Sequence, residues 1–219
     1  MRRRRHTLLL ALLLSALPVV AGAQEKAQLP YSVVSSYLEL FKSLEHLDLI
    51  TPSMIINPTN PEISPQSIEF KIKDADDWQS FNPDEYGVIE FPDRPDWDSL
   101  VLLTNQPKGT LQLVIAYSAK PLKSLQPSYQ ELMGLVPQFE ESLTALATMQ
   151  GQPPPKIKGL TIQMPEGSGA SVHVLSSKGE QTFEPHPNGI VLVRYDDAAW
   201  RENPPVEFDE MPLGIVPLQ

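Results

Sequence analysis

The strongest constraint on this chain's fold is a repeat written into its own sequence. Phe81-Asn82-Pro83-Asp84-Glu85-Tyr86-Gly87-Val88-Ile89 and Phe183-Glu184-Pro185-His186-Pro187-Asn188-Gly189-Ile190-Val191 hold Phe, Pro and Gly at the same offsets. Two β-branched residues follow the glycine in both. A tryptophan comes ten residues after the first glycine and eleven after the second, as Trp97 and Trp200. Each stretch then closes on Pro-x-Gly and alternating apolar residues, Pro107-Lys108-Gly109-Thr110-Leu111-Gln112-Leu113 against Pro212-Leu213-Gly214-Ile215-Val216-Pro217-Leu218. A glycine ahead of a strand lets the chain turn through positive φ. A proline cannot donate to a central ladder and so belongs in the turn before one.

Between these marks the apolar spacing alternates between two periods. Val33, Tyr37, Leu40, Phe41, Leu44 and Leu47 recur at three and four, predicting an amphipathic helix over Ser32–Leu47. Tyr129, Leu132, Met133, Val136, Phe139, Leu143, Leu146 and Met149 predict a second over 127–149, with Pro137 kinking it or opening a separate piece. Period-two runs predict strands at Ile68–Ile72, Val88–Phe91, Leu100–Leu103, Thr110–Tyr117, Leu160–Met164, Val172–Val174, Ile190–Tyr195, Val206–Phe208 and Ile215–Leu218. Residues 24–30 read as a polar leader. Residues 52–66 read as a turn-rich connector with a short strand at Met54–Ile56, and Gly167-Ser168-Gly169 as a hairpin. The 23 prolines fall mostly between apolar runs, the pattern of short strands with proline-marked turns. The expected fold is α+β: two related small antiparallel β-sandwich-like units, each preceded by an amphipathic helix, over residues 24–125 and 126–219, by tandem duplication.

The N-terminus carries a different message. Arg2 to Arg5, an apolar run from Leu8 to Val20 and Ala21-Gly22-Ala23 are the three parts of a secretory signal peptide, residues 1–23. The run is shorter than the roughly 20 residues of a membrane-spanning helix, so no membrane insertion is expected after cleavage. The chain has no cysteine, hence no lipid-anchored thiol and no disulfide. An exported chain that depends on its core alone points to a periplasm. Beyond the leader, 13 basic residues face 27 acidic ones, a net charge of −14. That balance argues against nucleic acid, which calls for clustered Lys and Arg, and keeps the protein soluble.

A family resemblance rests on Asn188-Gly189-Ile190-Val191-Leu192, Glu202-Asn203-Pro204-Pro205-Val206 and Pro212-x-Gly214-Ile215, with Lys158-Gly159-Leu160 and Pro165-Glu166-Gly167-Ser168-Gly169-Ala170. In these segments the chain resembles exported proteobacterial proteins of unknown function, which have a signal peptide and paired β units with a helix between them. The resemblance implies compartment and fold, and no catalytic residue or ligand.

No chemical motif stands out. His46, His173 and His186 lack partners at ligand spacing. Asp74, Asp76 and Asp77, then Asp93, Asp96 and Asp98, then Asp196 and Asp197 lack the glycine and terminal Glu of a calcium loop, and read as solvated turns. Gly167-Ser168-Gly169 opens no helix, so it is neither a nucleophile elbow nor a phosphate loop. Trp78, Trp97 and Trp200 read as core. The expectation is therefore no catalytic, cofactor-binding or metal residue, no cofactor, and a non-enzymatic periplasmic binding or envelope-accessory protein whose partner is another envelope protein. The rival expectation is a hydrolase of an envelope polymer, using carboxylates where the two units meet. A third reading has the one-sided helices mediate self-association.

Overall fold

The computed structural model describes residues 25–219, so the expected signal peptide lies outside the described residues. The chain is mixed α+β with antiparallel sheets. The first half runs β1 (Lys26–Pro30), α1 (Tyr31–Ser43), β2 (Ile50–Pro58), β3 (Phe70–Asp74), β4 (Asp77–Phe81), β5 (Val88–Ile89), a 3-10 turn at Pro95–Trp97, β6 (Val101–Pro107) and β7 (Leu111–Ala119). The second runs α2 (Tyr129–Met133), α3 (Leu135–Met149), β8 (Gly159–Gln163), β9 (Val172–Ser176), β10 (Gly179–Phe183), β11 (Ile190–Arg194), α4 (Asp197–Glu202), β12 (Val206–Phe208) and β13 (Gly214–Leu218).

Strand order repeats between the halves. The first has sheets β1-β6-β3-β4 and β5-β2-β7, the second β12-β9-β10 and β11-β8-β13. Leu125 and Pro127 accept hydrogen bonds from Phe208 and Val206, so the segment before α2 lies along β12 as β1 lies along β6. Hydrogen bonds match as well. Asp84 N–H donates to Val88 O at 2.8 Å, and His186 N–H to Ile190 O at 2.8 Å. Ile56 N–H reaches Gly87 O, and Met164 N–H reaches Gly189 O, both at 2.8 Å. The sequence marks explain this turn: Gly87 and Gly189 sit at φ 84° and 75°, and a Cβ on either would stand 2.7 or 2.8 Å from the facing carbonyl of Ile56 or Met164. Only glycine fits such a backbone without strain.

Each half gathers its apolar faces inward. Met54 and Ile56 of β2 and Ile89 of β5 meet Phe70 and Ile72 of β3, Leu102 of β6, and Tyr31 and Val34 of α1. In the second half Leu160, Ile162, Val191 and Ile215 from one sheet meet Val172, Val174, Val206 and Phe208 from the other, under α2 and α3. This second core extends into the first half through Leu44, Leu47, Ile50 and Tyr117. Polar contacts cross the same seam: Gln138 Oε1 accepts from Leu49 N–H at 2.9 Å, and its Nε2 donates to Asp48 at 2.9 Å.

Several expectations change. The leader at 24–30 holds β1, whose backbone pairs with β6. The connector at 52–66 begins with the long strand β2, which runs to Pro58 alongside β7 and tolerates Pro52 opposite Tyr117. Helix α1 stops at Ser43, and the chain from Leu44 to Leu47 turns instead. Gly167-Ser168-Gly169 is no hairpin: β8 and β9 belong to different sheets, and the turn carries the chain between them. β4, β10 and α4 were not anticipated. The two strands are edges with a single inward aromatic each, Phe81 and Phe183, so their sequences show little alternation. The second helix does break near Pro137, at Gly134, which separates α2 from α3; without an N–H, Pro137 cannot bond back into α2.

Candidate functional site

The feature that distinguishes the two halves is what fills the space between the free edges of their sheets. In the first half, the edges are β4 and β5. Phe81, Phe91 and Trp97 pack there edge-to-face, with Phe81–Phe91 at 5.4 Å and Phe81–Trp97 at 6.3 Å between ring centroids. Tyr31 at the start of α1 closes the group, 5.3 Å from Trp97 and 6.4 Å from Phe91, and Phe70 adds a face against Phe91 at 6.0 Å. Trp97 is 3% exposed. Tyr31 Oη donates to Pro92 O, and burial with the Asp93 charge nearby pushes its pKa to about 12.

The second half keeps the frame and loses the filling. Tyr129 opens α2 as Tyr31 opens α1: their N–H groups donate to Pro204 O at 2.8 Å and to Leu100 O at 3.0 Å. Tyr129 Oη donates to Arg194 O at 3.3 Å, the position matching Pro92, and accepts from Asp196 N–H at 2.8 Å. Phe183 matches Phe81, each pairing across its hairpin with the residue that matches on the other strand, Val172 or Phe70. Counted from the tyrosine's carbonyl acceptor, Val193 stands where Phe91 does and Ala199 where Trp97 does. Where the first half has Phe70, Phe91 and Trp97, the matching positions of the second hold Val172, Val193 and Ala199. A cleft of about 720 Å³ lies between β10, β11 and α4, lined by Tyr129, Phe183, Leu192, Arg194, Ala199 and Glu202 among others; of the three small residues Ala199 lines it, while Val172 and Val193 are fully buried. That volume lies in the range of small-molecule and peptide-side-chain sites.

The charged groups of the cleft, two cations and three carboxylates, differ in their partners. Its carboxylates are engaged: Glu180 with His173 at 2.8 Å, Asp196 with Ala199 N–H at 2.7 Å as the cap of α4, and Glu202 with the N–H and hydroxyl of Ser177. Its cations are not. Among the described residues, Lys178 and Arg194 have no ion-pair partner.

The residues weighed from sequence fall elsewhere. Asp74 and Asp96 share Arg94, at 3.3 and 2.6 Å, and Asp93 holds Lys42. The Arg94 guanidinium lies 4.5 Å over the Trp97 ring, and its hydrogen bond holds Asp96 below the usual carboxylate range. Asp98 accepts from Ser35. His46 meets Glu141 at 2.8 Å across the seam between the halves. His173 lies between Glu180 and Asp209, at 2.8 and 3.3 Å, and His186 stays in its turn. Among the described residues no three His, Asp or Glu side chains converge as a metal site would require. Of the tryptophans, Trp97 is core, Trp78 is 53% exposed on β4, and Trp200 is half-buried, turned toward Tyr195 at 5.7 Å. Trp78 corrects the expectation that all three fill cores; Trp200 packs against the second core, one residue past the position matching Trp97, in a loop two residues longer that winds into α4. Comparison with protein-family models, curated proteins and solved structures finds no match for this chain.

Proposed function

We propose that this is an exported, non-enzymatic binding protein of the periplasm, built by tandem duplication of a helix-plus-β-sandwich unit. Its first half is structural and its second half holds the ligand. The observation that carries the reading is the paired comparison: one frame, plugged by its own aromatics in the first half and open in the second. Matching strand order and matching turn hydrogen bonds support the duplication. The basic, apolar and small-residue parts of residues 1–23 support export, and with it membership of the exported family that the chain resembles.

The hydrolase alternative gains less support. An envelope glycosidase of the usual kind needs a carboxylic acid held protonated near neutral pH, so raised in pKa. Asp96, Glu131 and Asp209 are pulled down, chiefly by hydrogen bonds donated to them, the opposite of what such an acid needs.

The test is to titrate periplasmic extract of the exporting cell into isotope-labelled residues 24–219 and follow the backbone amides. Saturable shifts clustered at Gly179, Gln181, Leu192 and Ala199 are expected. Shifts confined to the first half would overturn the reading, as would turnover of an envelope polymer that survives filling of the cleft.

A further inference from the structure

The first half displays, in its own chain, what the empty frame is shaped to hold. Its plug is the tripeptide Asp96-Trp97-Asp98. The ring is buried against Tyr31 and Phe81, an arginine lies over its face, and the same arginine binds the neighbouring carboxylate at 2.6 Å. Ring, guanidinium and carboxylate form one group. In the second half the tyrosine and phenylalanine remain as Tyr129 and Phe183 and line the cleft. Arg194 and Lys178 stand in its lining with no anionic partner among the described residues. Ring and carboxylate are the two parts missing.

We propose that the cleft binds an extended polypeptide segment in which an aromatic side chain is flanked by a carboxylate, the ring seated where Trp97 sits in the first half and the carboxylate set against Arg194. This rests on the reading of the cleft as a binding site and names its ligand class. Three features fix the chemistry. The small side chain of Ala199 beside the rings of Tyr129 and Phe183, all three in the lining, leaves room for a ring. Lys178 and Arg194, the lining cations without an ion-pair partner among the described residues, are the groups an anion would meet. The walls of the cleft include β10 and β11, each the outer strand of its sheet, with one row of backbone groups free to pair with an extended chain. The last feature favours a peptide over a free aromatic acid.

The experiment is calorimetric titration of residues 24–219 with the blocked tripeptide acetyl-Asp-Trp-Asp-amide. Three comparisons accompany it: Asn-Trp-Asn, Asp-Ala-Asp and indole-3-propionate. Binding of Asp-Trp-Asp is expected, weakened at least tenfold in each altered tripeptide and in indole-3-propionate. Ala199→Trp, which restores the plug, abolishes it. The double variant Arg194→Gln, Lys178→Gln, exposed and safe for folding, weakens Asp-Trp-Asp at least tenfold and leaves Asn-Trp-Asn unchanged. Equal binding of Asp-Trp-Asp and Asn-Trp-Asn would overturn the anionic part of the ligand class. Tighter binding of indole-3-propionate would overturn the peptide. If no tripeptide binds while periplasmic extract still shifts the cleft amides, the ligand class fails and the binding site stands. If neither the peptides nor the extract act at the cleft, both fail.

Discussion

At the scale of single residues, the two glycines before β5 and β11 carry the most testable constraint. Gly189→Ala puts a Cβ 2.8 Å from Met164 O at a φ of 75°, and Gly87→Ala does the same against Ile56. Each is expected to cost about 1–3 kcal/mol, the range for a strained non-glycine backbone. Gly214→Ala, with nothing within 4 Å and no positive φ, should cost little; chemical denaturation of the three variants makes the comparison. His173 gives a pH signature. Burial on β9 opposes its charge, but hydrogen bonds with Glu180 and Asp209 outweigh burial and raise its pKa above the ordinary 6.5. A base whose pKa is raised on folding stabilises fully below its unfolded value and loses that contribution as pH rises through the folded one. The melting temperature of His173→Gln should therefore fall below wild type at about pH 5.5 and approach it at about pH 8. A deficit larger at alkaline pH would contradict the assignment.

At the scale of elements, the two edge clefts should respond oppositely to the same kind of change. Trp97→Ala removes a buried ring that touches Tyr31 and Phe81 and should cost about 3–5 kcal/mol, the usual penalty for truncating a core aromatic. Trp200→Ala, half-buried beside Tyr195, should cost well under half of that; equilibrium unfolding of the pair decides. This divergence also shows how far the sequence could be read. The helices and the inward strands were legible because their apolar residues hold a period: Val172 and Val174 on β9, Ile190–Arg194 on β11, Val206–Phe208 on β12. The edge strands β4 and β10 were not, since an edge buries one aromatic and leaves no alternation. Pro52 argued for a turn where β2 runs on, because β7 supplies the pairing along its whole length. The cleft was half visible. The matching sequence marks point to it, but pairing Trp97 with Trp200 by order along the chain hides that Ala199 stands at the position of Trp97. Tyr31 and Tyr129, each opening a helix and each bonded to the turn before the plug, would have set the alignment that places Ala199 opposite Trp97. Arg194 and Lys178 carry no sequence signal, because their lack of a partner is a fact of three dimensions.

At the scale of the whole molecule, the two halves share a strand order and a packed core. Leu44, Leu47, Ile50 and Tyr117 of the first half belong to the core of the second, and α3 spans the seam through Gln138 and Glu141. A single cooperative unfolding transition is expected by calorimetry, with calorimetric and van't Hoff enthalpies equal; two resolved transitions would mean that the shared core contributes little. The claim on which the account depends is narrower: the second half's cleft is the first half's plug site left open. The most direct measurement is the melting temperature of Ala199→Trp. If the cleft is a vacated plug site, the ring enters free space beside Tyr129 and Phe183, and the melting temperature stays within about 2 °C of wild type or rises. If the site is closed in solution, the ring overpacks a filled core at about 1–3 kcal/mol. At this chain length that corresponds to a fall of roughly 2–12 °C, and any fall beyond about 2 °C would contradict the account.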